Sequence, residues 1–433
     1  MKRKNAIPSI VLVLCLLLPS VPCAAQADTP QLTLDSCLRY ALQHNLSVQS
    51  ALLQREAAAA TLEQARLNFT PTLGASLGKD FSFFGGEVTS NSSYGLGGSW
   101  NLFSGTANLN NYRSAKAGQQ LATHTVEQSQ NQVSVDIITA YLNILSNNER
   151  LSYLQDILSS SGKHAADAKS KMLAGSLLES DYLMLEANWK QAQCEVENAR
   201  MAIAAEEERL RNLMGIDPSF PLRLAPLTGD DTLWVVFPSL EASVEQALAA
   251  LPDLKIRQLE VGQADYRLRS AKGGYLPQLN LSTYASYYGG EQLRTNADGM
   301  LVTNGGINTT VSLGLNIPIF NRGTNRLQVA QGKIALAQAQ LQQEETRRQL
   351  IQTVGDCYRT LQQARNNYEA ARLMQQARGA SLRAYQAKFA AGTVSTVDLL
   401  QQQENYLAAT NQFIQYKYSY ILSQKTLQIY LGK

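Results

Sequence analysis

Hydrophobic residues recur along this chain in two rhythms, and each rhythm appears twice. The first has a period of two. Leu279, Leu281, Thr283, Ala285 and Tyr287 alternate with Gln278, Asn280, Ser282, Tyr284 and Ser286. After a polar loop over 289–306, Ile307, Thr309, Val311, Leu313, Leu315, Ile317 and Ile319 alternate with polar or small residues and Pro318. Such alternation predicts strands at about 276–288 and 307–320, apolar on one face only. Leu73, Ala75, Leu77, Phe81 and Phe83, then Tyr94, Leu96, Trp100 and Leu102, predict a matching pair at about 72–84 and 93–103, with Lys79 interrupting the apolar face. The second rhythm is helical and runs from about 105 to 173 and from 323 to 390, which at 1.5 Å per residue is roughly 100 Å. Ile137, Ile144, Leu151 and Leu158 form one heptad seam, with Val126, Val133, Ala140 and Leu154 on a second. A seam of that kind needs a partner helix. The expected partners are the helices that return at Ser180–Asn212 and Val397–Tyr430.

The break before each returning helix is the clearest sign of an internal repeat. KMLAGSLLESDYLMLEANW (171–189) and KFAAGTVSTVDLLQQQENY (388–406) share Lys171/Lys388, Ala174/Ala391, Gly175/Gly392, Asp181/Asp398, Leu183/Leu400 and Asn188/Asn405. Leu213-Met214-Gly215 likewise matches Tyr430-Leu431-Gly432. The chain therefore reads as a tandem duplication: a first repeat over 28–215 with its helical hairpin at 105–213, a connector over 216–239, and a second repeat over 240–433 with its hairpin at 323–431. Each repeat opens with a helix, 34–67 or 240–271, begun by Thr33-Leu34-Asp35 or Pro238-Ser239 and closed by proline. The connector carries Pro218, Pro221, Pro226 and Pro238, with one β-prone run at Leu233–Phe237.

Composition narrows the compartment. Lys2, Arg3 and Lys4 precede an apolar run from Ile10 to Leu18, and Ala25-Gln26-Ala27 offers a cleavage site, so residues 1–27 read as a secretory signal. Acylation at Cys23 is the competing reading. Without residues 1–27 the formal charge falls from +3 to zero, which gives no reason to expect nucleic acid as a partner. Cys37, Cys194 and Cys357 sit within helices in no metal-binding spacing and read as small buried or half-buried fillers. No cofactor is expected. His44, His124 and His164 form no catalytic constellation with a nucleophile, and Glu206-Glu207-Glu208 beside Arg209 and Arg211 is a solvated helix face, so an enzyme is excluded.

A hairpin with one apolar face could pack on a soluble core or face lipid. Two features weigh toward lipid: the polar face is small and uncharged, and strands of about ten residues suit a tilted bilayer crossing. Leu77, Leu96, Trp100, Leu281, Val311, Leu313 and Leu315 would then face lipid, with Phe83, Phe84, Tyr94, Tyr287 and Tyr288 as an interfacial girdle. Four strands cannot close a barrel, and an open edge is untenable in lipid, so a barrel must be shared among subunits. The alternative is a soluble periplasmic coiled-coil scaffold or adaptor, which leaves the four strands without a purpose. A diffusion porin would need no helical hairpins.

The signal, the duplicated helix–strand–strand–helix plan, the long helices and the paired Ala-Gly-x-x-x-x-x-Asp-x-Leu tips together resemble the TolC-like outer-membrane efflux proteins, over about residues 30–432. The resemblance implies a mainly α chain with a membrane β-barrel portion. Four strands per subunit form a twelve-stranded barrel in a homotrimer, continued by a coiled-coil helical tunnel in the periplasm. It implies an exit duct of a tripartite efflux or type I secretion system, whose partners are a periplasmic adaptor and an inner-membrane transporter. Family members carry Gly-Thr-Arg-Thr-x-Val-Asp-x-Leu-Asp at the second tip, with both aspartates ringing the closed entrance. Here Asp398 matches the first, Gln401 stands where the second would be, and Val394 replaces the arginine that links the hairpins in the best-known member. Asp181 matches that arginine's acidic partner. The departures argue against a strongly ion-paired latch. Asp398 also has a simpler reading, as an acid in a first helical turn that complements the helix dipole. Ala174, Gly175, Ala391, Gly392, Thr393 and Val394 are the expected adaptor contacts, although both glycines equally suit ordinary helix C-termini.

Overall fold

The computed structural model describes residues 31–84, 87–227, 237–295 and 301–432. The signal segment and most of the β-prone run at 233–237 lie outside these. The first half contains α1 (Leu34–His44), α2 (Leu46–Leu67), β1 (Thr72–Phe84), β2 (Glu87–Ser104), α3 (Ala107–Leu173) and α4 (Glu179–Met214). The second half repeats that order as α5 (Leu240–Ala250), α6 (Pro252–Gly273), β3 (Gln278–Thr295), β4 (Leu301–Asn316), α7 (Thr324–Ala390) and α8 (Thr396–Tyr430). Helices α3 and α7 are each 67 residues long. No described helix is long and apolar enough to cross a membrane.

The opening helix of each half is broken, where the sequence suggested continuity. Asn45 leaves the helical region at φ −63°, ψ 131°. Its Oδ1 accepts from Ser47 N (2.8 Å) and Val48 N (3.3 Å), while its Nδ2 donates to the Leu213 carbonyl at 2.7 Å. Asparagine caps a new helix better than it continues an old one. In the second half Leu251 is extended at φ −69°, ψ 138°, because Pro252 at the first helical position disfavours the α conformation of the residue before it.

The returning helices are also shorter than the helices they follow. With 36 and 35 residues, α4 and α8 reach about 55 Å at 1.5 Å per residue, so they partner only the tip-side half of α3 and α7. The other half of α3 packs on α2 and α6, and that of α7 packs on α6. Gln263 Nε2 donates to the Ser114 carbonyl (3.2 Å), Ser270 Oγ bonds Asn111 Oδ1 (3.0 Å) and Gln128 Nε2 donates to Asp253 Oδ1 (2.6 Å), fixing α6 along α3. At the strand-proximal end, Gly105 and Gly273 approach so closely that a Cβ on either would strike the other's carbonyl.

The main core lies at mid-height. Leu34, Cys37, Ala41 and Val48 pack against Val133, Ile137, Tyr141 and Ile144 of α3, Leu210 and Met214 of α4, and Ile421 of α8. The connector joins here through a bridge between Leu32 and Leu224. Tyr141 Oη, in a side chain only 1% exposed, donates to the Ala225 carbonyl at 2.6 Å. All three described cysteines are free, but Cys194 lies exposed on α4 and fills no core.

The four strands form one antiparallel sheet in the order β1-β2-β3-β4. β2 starts at Glu87 and β3 runs on to Thr295, so the second and third strands are longer than the alternation suggested. β4 stops at Asn316, short of 320, because Pro318 has no N–H for the ladder. The register places Leu77 opposite Tyr94, Leu96 opposite Ala285, Trp100 opposite Leu281, and Leu281 opposite Leu313. Opposed residues share a face, and side chains two apart return to it. Leu77, Leu96, Trp100, Leu281, Val311, Leu313 and Leu315 therefore occupy one face, all exposed except half-buried Leu281. Tyr94 and Tyr287 stack on that face at 6.3 Å. Lys79 shares it and sets its ammonium 5.5 Å from the Phe81 ring, which lessens the cost of a charge there. The side chains of Phe84 and Tyr288 are outside the described set.

Candidate functional site

The long helices of the two hairpins close alike at their tips, although Leu178 precedes α4 with no side-chain cap and the capping residue Ser395 precedes α8. α3 caps at Ala174 and α7 at Ala391, both in right-handed geometry, and Gly175 and Gly392 each follow at φ +73°. Gly175 N donates to Met172 O (2.9 Å) and Ser176 N to Lys171 O (2.9 Å); Gly392 N donates to Phe389 O and Thr393 N to Lys388 O, both at 3.0 Å. This is the Schellman closure, whose left-handed position strongly favours glycine. Ser176 Oγ and Thr393 Oγ1 reinforce it with 3.0 Å bonds to the Lys171 and Lys388 carbonyls. No atom lies within 4 Å of where a Cβ on Gly175 or Gly392 would sit. The glycines answer to backbone conformation, and the space outside each is open.

The predicted entrance residues do not converge within one chain. Asp398 is exposed and its carboxylate turns back on its own helix: Oδ2 accepts from Ser395 N (3.3 Å) and Ser395 Oγ (2.6 Å), while Asp398 N donates to Ser395 Oγ at 3.1 Å. That is a reciprocal capping box. Gln401, one turn on, is exposed and its Nε2 reaches Asn405 Oδ1 at 3.5 Å. Asp181 instead lines a cavity of about 540 Å³ between the two tips, shared with Lys171, Phe389, Gly392, Val394 and Thr396.

The hairpins are tied by contacts that sequence reasoning missed. Phe389 sits edge-on to His164 at 6.1 Å, with the Lys171 ammonium 6.0 Å from its ring. Burial holds the His164 imidazole below its usual value, against the opposing pull of Asp167, so at neutral pH it packs uncharged. Farther from the tips, Tyr153 meets Tyr406 at 5.7 Å, Asn188 Nδ2 donates to Gln403 Oε1 at 3.4 Å, and Lys417 Nζ meets Glu149 at 2.7 Å. Most ion pairs here join neighbours on one helix, whereas Lys417–Glu149 crosses from α8 to α3. A signal was present in the sequence: Gln403, Thr410, Lys417 and Gln424 recur every seventh residue on α8, a polar heptad position turned inward.

The side chains of Lys417 and Glu149 are 31% and 34% exposed, so the pair contributes about 1 kcal/mol rather than the several of a fully buried one. Lys417→Glu is expected to speed amide exchange in α8 between 399 and 417 by roughly five-fold or more. Adding Glu149→Lys should return it toward wild type, as hydrogen-exchange mass spectrometry would record. Equal exchange in the single and double variants would deny the pair any part in holding the hairpins together.

An open sheet apolar on one face, carried on two very long helical hairpins, defines a subunit of an outer-membrane channel with a helical duct beneath it. The chain belongs to the outer membrane efflux protein family, whose model matches residues 37–216 and 243–433. It is 22% identical over 397 residues to the outer membrane protein TolC of Escherichia coli strain K12, covering 90% of this chain and 80% of that protein. It superposes on the Campylobacter jejuni CmeC outer membrane channel with a TM-score of 0.79 at 20% identity, covering 92% and 85% of the two chains. With CusC the TM-score is 0.78 at 17% identity, covering 92% and 91%. The chain is an exit duct of the outer membrane, its helical part reaching into the periplasm.

Proposed function

We propose that three copies close around one axis, so that β4 of each subunit pairs with β1 of the next and three four-stranded sheets make a twelve-stranded barrel. The observation that carries this reading is that the two halves of a chain are joined by surfaces that recur, open, at its two edges. Within the chain β2 pairs with β3 and α3 packs on α6. The equivalent surfaces at the edges are β4 with α7 and β1 with α2. Both helices carry an exposed apolar stripe at heptad spacing, Leu327, Ile334 and Leu341 on α7, and Leu46, Leu53 and Leu67 on α2. In this arrangement Leu77, Leu96, Trp100, Leu281, Val311, Leu313 and Leu315 meet outer-membrane lipid, and the polar face lines the lumen.

The hairpin tips then form the periplasmic entrance. Ala174, Gly175, Ala391, Gly392, Thr393 and Val394 contact a periplasmic adaptor protein, which couples the duct to an inner-membrane transporter that selects cargo. Asp398 and Gln401, exposed on α8, ring the entrance together with Asp181, and three Asp398 carboxylates give it a preference for cations. The capping box makes this separable from folding. Asp398→Asn keeps an oxygen for Ser395 and removes only the charge, whereas Asp398→Ala removes both.

The test is native mass measurement of detergent-purified protein, followed by single-channel recording in planar bilayers. Trimers with cation-selective currents are expected. Asp398→Asn should lower cation preference and relieve divalent-cation block as fully as Asp398→Ala does. Unchanged selectivity in both would leave Asp398 as a cap alone, and monomers without currents would overturn the duct assembly.

A further inference from the structure

Among the described residues, the polar face of the sheet is walled by small or amide side chains, with two exceptions. Across from Leu77 and Leu96 these are Gly, Ser, Thr, Asn and Gln, with Asp80 a single charge on a face the sequence suggested was uncharged, and Tyr284 the one aromatic ring among them. Tyr284 pairs with Gly97 in the ladder. Its ring does not stand away from the sheet. It lies across β2, where a Cβ on Gly97 would come within 3.1 Å of Cδ2 and one on Gly95 within 2.7 Å of Cζ. The hydroxyl extends past β2 to Ser76 Oγ on β1 at 3.4 Å. Gly95 is buried beneath the ring although it faces the open side of a sheet. Any residue but glycine at position 95 would meet the ring, so the two glycines form a slot in which it lies along the sheet. The residue is nonetheless 41% exposed, so part of the ring is open on the side away from the glycines.

We propose that Tyr284 in its glycine slot is the solute-contacting residue of the barrel wall, and that it favours solutes carrying flat aromatic or cationic groups. The inference rests on the reading in which this face lines the lumen. An exposed aromatic face attracts cations and stacks on planar rings, and the wall's one described charge, Asp80, is of the sign that admits cations. Lying along the sheet does two things together. It presents the largest apolar surface among the described side chains of the wall to passing solute, and it leaves the bore wide. Three subunits place three such faces around the lumen.

Single-channel recording of the purified full-length protein, with tetraphenylphosphonium as the probe, tests this. Wild-type currents should show concentration-dependent block. Tyr284→Ser should raise the blocking concentration by about five-fold, the scale of a solvent-exposed cation–π contact, and Tyr284→Phe should preserve block because the ring face is kept. Gly95→Val should lift the ring into the lumen and lower conductance, and Tyr284→Ser in the Gly95→Val background should restore it. Block unchanged by Tyr284→Ser, or lost equally in Tyr284→Phe, would overturn the inference while leaving the duct reading standing. Absence of channels from wild-type trimers would overturn both.

Discussion

Two glutamates on the strand-proximal half of α7, Ile334→Glu with Leu341→Glu, are expected to abolish assembly and leave a chain that neither forms trimers nor inserts as a channel. In the single chain these residues are 59% and 72% exposed, and Leu327, one heptad earlier, is 63% exposed. No described residue covers them, so the substitutions leave the subunit's own core intact. The complementary stripe on α2, Leu46, Leu53 and Leu67, is 77%, 65% and 55% exposed. Burying six such side chains at roughly 1.5–3 kcal/mol each would supply about 10 kcal/mol or more per interface before association costs. A buried unpaired carboxylate removes that gain and adds a desolvation penalty of several kcal/mol. Size-exclusion chromatography with light scattering would read the result. The same glutamates in place of Gln328 and Gln340, exposed residues of the same helix about 120° round from the stripe, serve as controls and should still allow trimers. Wild-type assembly of the Ile334→Glu/Leu341→Glu chain would remove the stripe from the interface and with it the edge-to-edge closure.

Much of this architecture was legible because its determinants are local or periodic. The alternation through Leu279–Tyr287 and Ile307–Leu315 specifies both the strands and the shared apolar face, since side chains two apart point the same way. The twin tips were legible because Gly175 and Gly392 answer a backbone demand that few other residues meet, and the duplication repeats it. The errors arose where a local preference overrode a longer pattern. Asn45 and Pro252 each end a helix that hydrophobic periodicity would have continued, one by capping and the other by restricting Leu251. The half-length partnership of α3 with α4 was hidden because a heptad seam does not say which helix fills it, and α2 and α6 fill the rest. Non-local features were the least visible. The slot for Tyr284 depends on which β2 residues fall opposite it, a matter of register that the sequence of β3 alone does not contain. The Lys417–Glu149 tie joins residues far apart in the chain, although the inward polar heptad on α8 pointed to a seam of that kind.

Gly392→Trp is expected to eliminate export while barrel and trimer persist. The left-handed backbone at φ +73° costs a residue other than glycine about 1–2 kcal/mol, a loss confined to the last turn of a 67-residue helix. The closing hydrogen bonds come from the backbone N–H groups of residues 392 and 393, which a tryptophan retains. No described atom beyond the adjoining residues lies within 4 Å of the Cβ position, so the side chain can leave the backbone without a clash. The indole then occupies the open space beside the tips, where Gly392 lines a cavity and where the proposed adaptor contact lies. Gly392→Asn separates the two possible causes, because asparagine adopts left-handed geometry at low cost and adds little bulk. Export should survive largely intact in Gly392→Asn and fall to background in Gly392→Trp, with equal amounts of trimer recovered from outer membranes. Loss of export in both, together with loss of trimer, would assign the glycine to folding. Normal export in Gly392→Trp would mean that no partner approaches this tip closely. The open environment of Gly175 makes the first tip an independent second trial, since the same backbone closure there carries the same small folding cost and leaves only the partner to be obstructed.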